Sequence, residues 1–510
     1  MPRKDKASKG ILGVRKRAGT QVFAFGRHAE PLPSDESDDP DFIPEEDETS
    51  TNAASTSRNV KTKRNKEEEH ASKKRKLEKR KKADPKKKDK KETESKSNPP
   101  VQLLKGWSEL IPVELLMIIF QHAMKQIIGS KIPFLCRMSR VCRHWRRVAS
   151  EPRLWRTVNL STSFVKISAS PAILQQLAPE RLKYVRQLFL GGWSKLTDKG
   201  IEAIGQHCNE LQTIGLSECE SLTPQGITSL VTKCCHLTSI DVKSTNIDIN
   251  CLKHIVKQLG SQLEKLWLAN CSRVTGTHIL PLIQENCPNL IDLDVSGTNI
   301  RKIHIEKLQA GCPKLRRLML ANLLLNSIPK TNEKSANGFP DLEVVDLSCD
   351  YYGLDRRNDQ LLYRILWASK HLQMLILEGP NLITAEGFRN LPDFPLKILI
   401  YNNASYSKVA AIVEKWHHCL ERLDLSSNRG VDDECMKLLS NFGMQKLKSL
   451  NLSNTIITSD GVRNVINGCP SLNHLNITSC RGLPRGVRNH HGELGIRSLP
   501  WRIAEEENSD

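Results

Sequence analysis

From residue 185 onwards, the chain repeats one short pattern of apolar positions. Each copy reads L-x-x-L-x-L, and its last two anchors lie two residues apart, as in Leu266 and Leu268. Because successive side chains of a strand point to opposite faces, this spacing predicts a short strand with one apolar face. Further along each copy, apolar residues recur at a helical spacing, as in Ile227 and Leu230, and this predicts a helix.

Twelve consecutive copies can be aligned, and their first anchors lie 24 to 30 residues apart. A period of this length with these anchors is the leucine-rich-repeat signature. One strand and one helix cannot bury their apolar faces alone, whereas stacked copies can, so the pattern predicts an α/β solenoid over residues 185–481. Residues 158–184 are interpreted as a linker or cap to the repeats, and 482–510 as a C-terminal cap or tail. The first anchors are Val185, Leu211, Leu237, Leu263, Leu290, Leu315, Leu342, Leu372, Leu396, Leu420, Leu447 and Leu472.

Most of the 15 cysteines fall at two fixed phases of this repeat. One phase lies three residues before the next anchor, and the other lies eight residues after an anchor, where Thr or Asn also occurs. A small side chain that tolerates burial and offers a weak donor suits both phases, which predicts structural thiols. No Cys/His grouping has zinc-site spacing, so no metal and no cofactor are expected. The two sets are Cys208, Cys234, Cys287, Cys312 and Cys469, and Cys219, Cys271 and Cys480.

Residues 105–157 are predicted to form a compact helical unit ahead of the repeats. A helix is expected to begin near Pro112, and a second helix is expected from Ser139 to Ser150, with apolar side chains on one face and arginines on the other. A unit of about 50 residues is too small to be very stable alone. Its Leu, Ile and Trp side chains indicate a partner, or else a cap that seals the first repeat.

The stretches IPVELLMIIF (111–120) and VCRHWRRVASEPRLW (141–155) resemble the F-box, whose pattern is LPxELLxxIF, then VCRxWRxLA, then LW. Together with the cysteine-phase repeats, the chain is therefore similar to the F-box/leucine-rich-repeat family. The predicted fold is an α/β leucine-rich-repeat solenoid preceded by a small all-α F-box and a disordered N-terminal tail. The chain departs from the family pattern in the longer segment between Phe120 and Val141, where IIGSKIP (127–133) is interpreted as an insertion. This insertion puts in doubt the loop between the helices and, with it, some of the adaptor contacts.

The resemblance implies a substrate receptor of a Skp1–cullin–F-box ubiquitin ligase, which marks proteins for proteasomal degradation. Its F-box would bind the adaptor Skp1 and, through Skp1, a cullin and a RING subunit. The repeats would bind a protein substrate that the sequence does not name. Two stretches, 415–426 and 468–489, resemble one individual member of the family. The residues implied to grip Skp1 are Ile111, Pro112, Leu115, Leu116, Ile119, Val141, Cys142 and Trp145.

No enzyme motif is found: there is no P-loop, no G-x-S-x-G and no H-E-x-x-H, so no catalytic residues are predicted. The middle of each L-x-L lies on the exposed strand face, which is the candidate substrate surface. Large apolar residues there are candidate binding anchors, and the acids at the same phase suggest recognition or solvation. A tail around 499–501 that folds over these anchors is the alternative. The candidates are Phe189, Trp267, Met319, Asp241, Asp294 and Asp346.

The first hundred residues are highly charged, with ten acids in 30–48 and 17 bases in 61–91. Such segments cannot bury enough apolar surface to fold, so 1–100 is predicted to be a disordered tail. The net charge of +19 leaves open a nucleic-acid-associated scaffold without a ligase role, but the basic tract has no aromatic residue for base stacking. No membrane span or secretory signal is found, so an intracellular protein is expected. The basic tract favours import into the nucleus, with a cytoplasmic population as well. The import candidates are Lys73, Lys74, Arg75, Lys76, Lys79, Arg80, Lys81 and Lys82.

Overall fold

The computed structural model describes residues 111–165, 170–274, 279–323, 338–349 and 358–507. The predicted charged tail, residues 1–100, lies outside the described residues. The helical unit (residues 111–155) contains helices α1 (Val113–Lys125), α2 (Ile132–Met138) and α3 (Arg143–Ala149), followed by a 3-10 turn at Pro152–Trp155.

The helical unit differs from the prediction in two ways. The second predicted helix is shorter, because Cys142 has extended backbone (φ −154°) and the helix begins only at Arg143. An additional helix, α2, lies in the segment between Phe120 and Val141, where no helix was predicted. Pro133 occupies its first turn, where a missing N–H costs nothing. Leu135 from this helix is buried in the core.

The described residues form one sheet of fourteen strands that lie side by side in chain order. All neighbouring pairs are parallel except the last, in which β14 runs antiparallel to β13. The strands are β1 (Thr157–Asn159), β2 (Gln187–Phe189), β3 (Thr213–Gly215), β4 (Ser239–Asp241), β5 (Lys265–Trp267), β6 (Asp292–Asp294), β7 (Arg317–Met319), β8 (Val344–Asp346), β9 (Met374–Leu377), β10 (Ile398–Tyr401), β11 (Arg422–Asp424), β12 (Ser449–Asn451), β13 (His474–Asn476) and β14 (His490–Gly492).

Helices connect most of the parallel strands and pack against the helices of neighbouring repeats. They are α4 (Pro171–Glu180), α5 (Asp198–His207), α6 (Pro224–Lys233), α7 (Ile249–Leu259), α8 (Ile279–Asn286), α9 (Ile305–Gly311), α10 (Asp359–Leu366), α11 (Ala385–Arg389), α12 (Tyr406–Trp416), α13 (Asp433–Phe442) and α14 (Ser459–Gly468), with α15 (Glu493–Glu507) after the last strand. The predicted alternation of strand and helix is therefore confirmed.

Equivalent anchors of successive repeats lie side by side, as in Leu266, which pairs in register with Leu293 and, through it, with Leu318. All three are fully buried, and they belong to one continuous apolar core that also includes the helix residues facing the sheet. Each such side chain contributes about 1.5–3 kcal/mol relative to exposure. The core is thus extended by repetition, as the spacing predicts.

The sheet is longer than the twelve predicted repeats by one strand at each end. The strand β1 follows the same anchor spacing, but its first anchor is Trp155 in place of Leu, followed by the buried residues Val158 and Leu160. Residues 158–184, interpreted as a linker or cap, therefore contain the end of this strand and helix α4. The antiparallel strand β14 covers the edge of β13 that another repeat would otherwise pair with.

A left-handed residue follows almost every strand. Ten of the twelve repeats place a residue with positive φ seven positions after the first anchor, where the chain turns away from the sheet. Three of these residues are glycine, and the others pay a modest conformational cost, smallest for asparagine. They are Gly192, Glu218, Ser244, Asn270, Gly297, Asn322, Gly379, Ser427, Asn454 and Ser479.

A hydrogen-bonded link joins the helix starts of adjacent repeats at three places. The carboxylate of Asp359 accepts from the backbone N–H of Thr384 (2.8 Å) and from its hydroxyl (2.7 Å). Gly387, three residues after Thr384, lies so close to this carboxylate that a Cβ would collide with it. The same D…T-x-x-G arrangement recurs at Asp198, Thr223 and Gly226 and at Asp433, Thr458 and Gly461.

Candidate protein-binding surfaces

The inner face of helix α1 forms the core of the helical unit. Leu116, Phe120 and Met124 are buried and lie four residues apart, on one face of the helix. The ring of Phe120 makes edge contacts with Phe134 (5.6 Å between centroids) and with Trp145 (5.4 Å). Such contacts fix the three helices against one another.

The outer face of α1 leaves large apolar side chains in solvent. Leu115, Ile118 and Ile119 are 54%, 59% and 51% exposed, and Val141, in the turn before α3, is 54% exposed. We call these four residues the outer patch. Exposed apolar side chains at this density on one short helix are typical of a protein-binding surface.

Leu116 was predicted to bind the adaptor, but it is fully buried and belongs to the core instead of the surface. Pro112 is exposed at the start of α1, whereas Ile111 is half-buried and its carbonyl O lies 2.9 Å from Nε2 of His144. The thiol of Cys142 accepts from the backbone N–H of Trp145 at 3.4 Å. Cys142 and Trp145 therefore hold α3 in place, with Trp145 only half-exposed.

Sequence reasoning missed Ile118, which is the most exposed of the outer patch. The signal was present in the spacing of the helix. Once Leu116, Phe120 and Met124 are taken as the inner stripe at four-residue intervals, Leu115, Ile118 and Ile119 must lie outside it. The family pattern lists both leucines of ELL without separating an inner one from an outer one.

The loop between α1 and α2 contacts β1 and the turn that follows it. The hydroxyl of Ser130 donates to the carbonyl O of Asn159 in β1, and Ser130 is buried. Gly129 has φ +88° and lies so close to the ring of Phe164 that a Cβ would collide with it. The predicted insertion IIGSKIP thus joins the helical unit to the repeats, on residues other than those of the outer patch.

The six predicted substrate residues all lie on the outward face of the sheet and are half-buried. Five of them occupy consecutive strands in register, in the order Asp241, Trp267, Asp294, Met319 and Asp346. Neighbouring strands are about 4.8 Å apart, so Asp241 and Asp294 flank Trp267 on its two sides. The sixth, Phe189, lies in β2 with its ring over Gly215, which has no side chain to obstruct it.

The aspartates of this row also shape the turn after each strand. Asp241 and Asp294 each accept, at 3.1 Å, from the backbone N–H two residues later. Burial raises the pKa of both carboxyl groups, and the nearby ammonium of Lys243 opposes the rise. The Nζ atom of Lys243 also lies 5.4 Å from the centre of the Trp267 ring. These acids therefore have a structural role, and their part in substrate recognition stays a prediction.

The C-terminal helix does not cover the apolar residues of the sheet face. Helix α15 packs against α14, β13 and β14, and Leu499 is buried in that contact. Trp501 is 76% exposed. The alternative in which residues 499–501 cover Phe189, Trp267 and Met319 is therefore wrong.

The described residues contain no group of three or more His, Cys, Asp or Glu side chains that could hold a metal ion. None of the helices in the described part of the chain has the length and apolar character needed to cross a membrane. Of the surfaces found, the outer patch and the outward sheet face are the candidate binding surfaces.

Two family models match this chain, and their positions agree with the two parts of the fold. The F-box-like model matches residues 108–161, and a leucine-rich-repeat model matches residues 417–440. The chain is thus similar to the F-box/leucine-rich-repeat family in both parts. Its F-box match runs through the three helices and β1, and the repeat match covers β11 and most of α13. Which individual member the stretches 415–426 and 468–489 resemble stays a prediction.

Relatives and solved structures show further similarities to this chain. It is 24% identical to F-box/LRR-repeat protein 4 of Bos taurus over 42% of this chain, and 26% identical to the DNA repair protein rhp7 of Schizosaccharomyces pombe over 52%. The matches span 38% and 48% of those two proteins, less than half of either. The crystal structure of the yeast Rad7 and Elc1 complex is similar at a TM-score of 0.46, with 17% identity, over 74% of this chain and 91% of that chain.

Proposed function

We propose that the protein is the substrate-recognition subunit of a Skp1–cullin–F-box ubiquitin ligase. The helical unit binds Skp1, which connects it to a cullin and a RING subunit, and the repeats bind the protein substrate. The chain itself performs no chemistry in this proposal. The observation that carries it is the outer patch, because a family F-box with four large apolar side chains in solvent calls for a protein partner.

The division of α1 into two faces supports this assignment. Leu116 and Phe120 are used by the fold, whereas Leu115, Ile118 and Ile119 contribute nothing to the core. Burying such side chains at the centre of an interface accounts for most of the affinity of typical protein complexes. The loop that carries Gly129 contacts β1 and Phe164, so it leaves this face of α1 open to the adaptor.

The test replaces Leu115 and Ile119 by alanine in the full-length chain and measures affinity for purified Skp1. Both side chains are half-exposed, so the melting temperature should not change. We expect at least about a 30-fold loss of affinity, since two buried interface side chains are worth about 1 kcal/mol or more each. Tyr363→Ala is the control, because Tyr363 is 50% exposed on helix α10, in the repeats. Wild-type affinity in the double variant would remove the Skp1 assignment.

We further propose that the protein acts in the nucleus and is imported through the basic cluster at 73–82. This cluster lies outside the described residues, and the proposal rests on its sequence alone, KKRKLEKRKK. A fluorescent fusion that lacks residues 61–91 should redistribute to the cytoplasm while still binding Skp1. Unchanged nuclear accumulation of that fusion would contradict the proposal.

A further inference from the structure

Positive charge is concentrated in the helical unit and at the start of β1. Residues 115–157 contain nine Lys and Arg but a single acid, Glu151. By contrast, residues 158–510 contain 39 Lys and Arg and 35 Asp and Glu, so their charge is nearly balanced. The excess therefore belongs to one small part of the chain and not to its overall composition.

Five arginines of this stretch are exposed, and none of them makes an ion pair or a side-chain hydrogen bond with any residue that the structure describes. We call them the basic surface. The fold does not use their side chains, whereas Arg146 of α3 donates from Nε to the carbonyl O of Ser139 at 3.1 Å. The two arginines of the F-box pattern VCRxWRxLA correspond to Arg143 and Arg146, so the five are additional to that pattern. They are Arg137, Arg140, Arg147, Arg153 and Arg156.

Three of these arginines lie where α3 ends. Arg147 occupies the last turn of the helix. Nε1 of Trp155 donates to the carbonyl O of Ala149 at 2.9 Å, which brings the following 3-10 turn back to this end of the helix. Arg153 and Arg156 are three residues apart at that turn, and so they lie on one side of it.

The unpaired charge ends at the first strand. Arg186 occupies, ahead of β2, the position that Arg156 occupies ahead of β1, and its backbone N–H donates to the carbonyl O of Arg156 at 2.8 Å. The guanidinium of Arg186 lies 3.4 Å from the carboxylate of Glu210. The charge of the equivalent arginine is thus balanced in the next repeat, whereas that of Arg156 is not.

The chemistry of the basic surface favours nucleic acid over an acidic protein. Arginine guanidinium groups match phosphate oxygens, and interfaces with nucleic acid are strongly positive. The centre of a protein–protein interface is instead depleted of charge and built on apolar anchors, which the outer patch has and the basic surface lacks. None of the Phe, Trp or Tyr residues in 115–157 is exposed, so no ring is available to stack on the bases of a single strand. The phosphates of a duplex need no such ring.

We propose that the basic surface binds the phosphate backbone of a nucleic-acid duplex, independently of its base sequence. Contacts from guanidinium groups to phosphate oxygens position a protein on the duplex and carry no sequence information. Arg147, Arg153 and Arg156 lie at the opposite end of α3 from Val141, so the outer patch stays open to its own partner. This binding does not depend on the ligase function proposed above.

The test measures the anisotropy of labelled duplexes of about 20 base pairs, one of DNA and one of RNA, with the full-length chain between about 50 and 200 mM salt. The variant Arg147→Gln with Arg153→Gln and Arg156→Gln removes three exposed charges, so its melting temperature should not change. We expect the affinity to fall at least about tenfold. The slope of log affinity against log salt should become shallower by about 2–3, because each phosphate contact on duplex DNA contributes about 0.9. These losses on either duplex support the proposal, and the duplex bound more tightly identifies the source.

Arg422→Gln with Arg429→Gln and Arg485→Gln is the matched control, since it removes three exposed arginines near the other end of the sheet. The N-terminal basic tract is the same in all these proteins, so the difference between variants reports on the basic surface alone. If the first variant melts early, Arg153→Gln carries the test by itself, with an expected slope change of about 1.

Three results would overturn the proposal. The first is an equal salt slope in the variant and its control. The second is tighter binding of a single strand of the same length. The third is polyglutamate that binds as tightly as the duplex and is lost in the same variant, which would identify an acidic protein as the partner.

Discussion

The cysteine side chains satisfy backbone carbonyls between repeats. The thiols of Cys271 and Cys480 each donate, at 3.1 Å, to a carbonyl of the preceding repeat, and Cys219 does so at 3.4 Å. In other repeats the hydroxyl of Thr298 donates to the carbonyl O of Val295 at 2.6 Å from the same phase. The predicted role of a small buried donor is confirmed at this phase.

Burial makes most of these thiols unreactive. It raises the pKa of Cys208, Cys287 and Cys469 from 9.0 to about 12. Only Cys136 and Cys235 are exposed among the 15 cysteines. Because the thiolate is the reactive form, we expect the native protein at pH 8 to show two fast-reacting thiols with Ellman's reagent, and none in the variant Cys136→Ser with Cys235→Ser. Five or more fast thiols in the native protein would contradict this burial.

The same pKa shifts predict the response to alkali. The unfolded chain releases its thiol protons near pH 9, whereas the buried thiols keep theirs up to about pH 12. The stabilisation is therefore complete below pH 9 and is lost as pH rises from 9 towards 12. Urea unfolding at pH 8 and at pH 10 should show a lower free energy of unfolding at the higher pH.

The structural role of a residue could be predicted from the sequence where the same residue type recurs at one position of many repeats. It could be predicted less well where the residue occurs once. The cysteine phases recur and were found. The left-handed position also recurs, as glycine or asparagine at Gly192, Asn270, Gly297 and Asn454, but serine and glutamate at the same phase obscure it. Leu115 and Leu116 occur in one short helix only, so their separation into surface and core depends on how three helices pack.

At the scale of elements, the joint between the helical unit and the repeats depends on one glycine. Gly129→Ala places a Cβ against the ring of Phe164 and strains a φ of +88°. We expect a loss of about 1–3 kcal/mol in the free energy of unfolding. Hydrogen exchange should show the change first in residues 126–131 and in β1. Gly492→Ala is the control, because no atom lies within 4 Å of a Cβ there. Equal stability of both variants would mean that the loop does not need this contact.

Helix α2 shows why this part of the fold was not predicted. It has seven residues, too few to display a periodic apolar pattern, and it follows a glycine and a serine that are typical of a loop. Only contacts with the rest of the unit, such as that of Phe134 with Phe120, reveal it as a packed helix.

At the scale of the whole molecule, stability comes from contacts between neighbouring repeats. The regular repeats were predictable because each anchor position recurs twelve times along the chain. The ends were not, since Trp155 replaces the first leucine of β1 and β14 has no anchor pattern at all. Both ends are formed by sequence that differs from the repeat, which a solenoid requires where its stacking stops.

A charge in the middle of the sheet tests this dependence on neighbours. Leu293 is fully buried between Leu266 and Leu318, so Leu293→Asp places an unpaired carboxylate where no water or cation reaches it. We expect a loss of at least about 4 kcal/mol in the free energy of unfolding, because the damage spreads through adjoining repeats. Asn299→Asp, which adds the same charge at an exposed site of the same repeat, should melt like the wild type. Hydrogen exchange should show protection lost first in β5, β6 and β7 and last in the helical unit, which contacts the sheet at β1. A Leu293→Asp variant that melts with the control would mean that the central repeats do not stabilise one another.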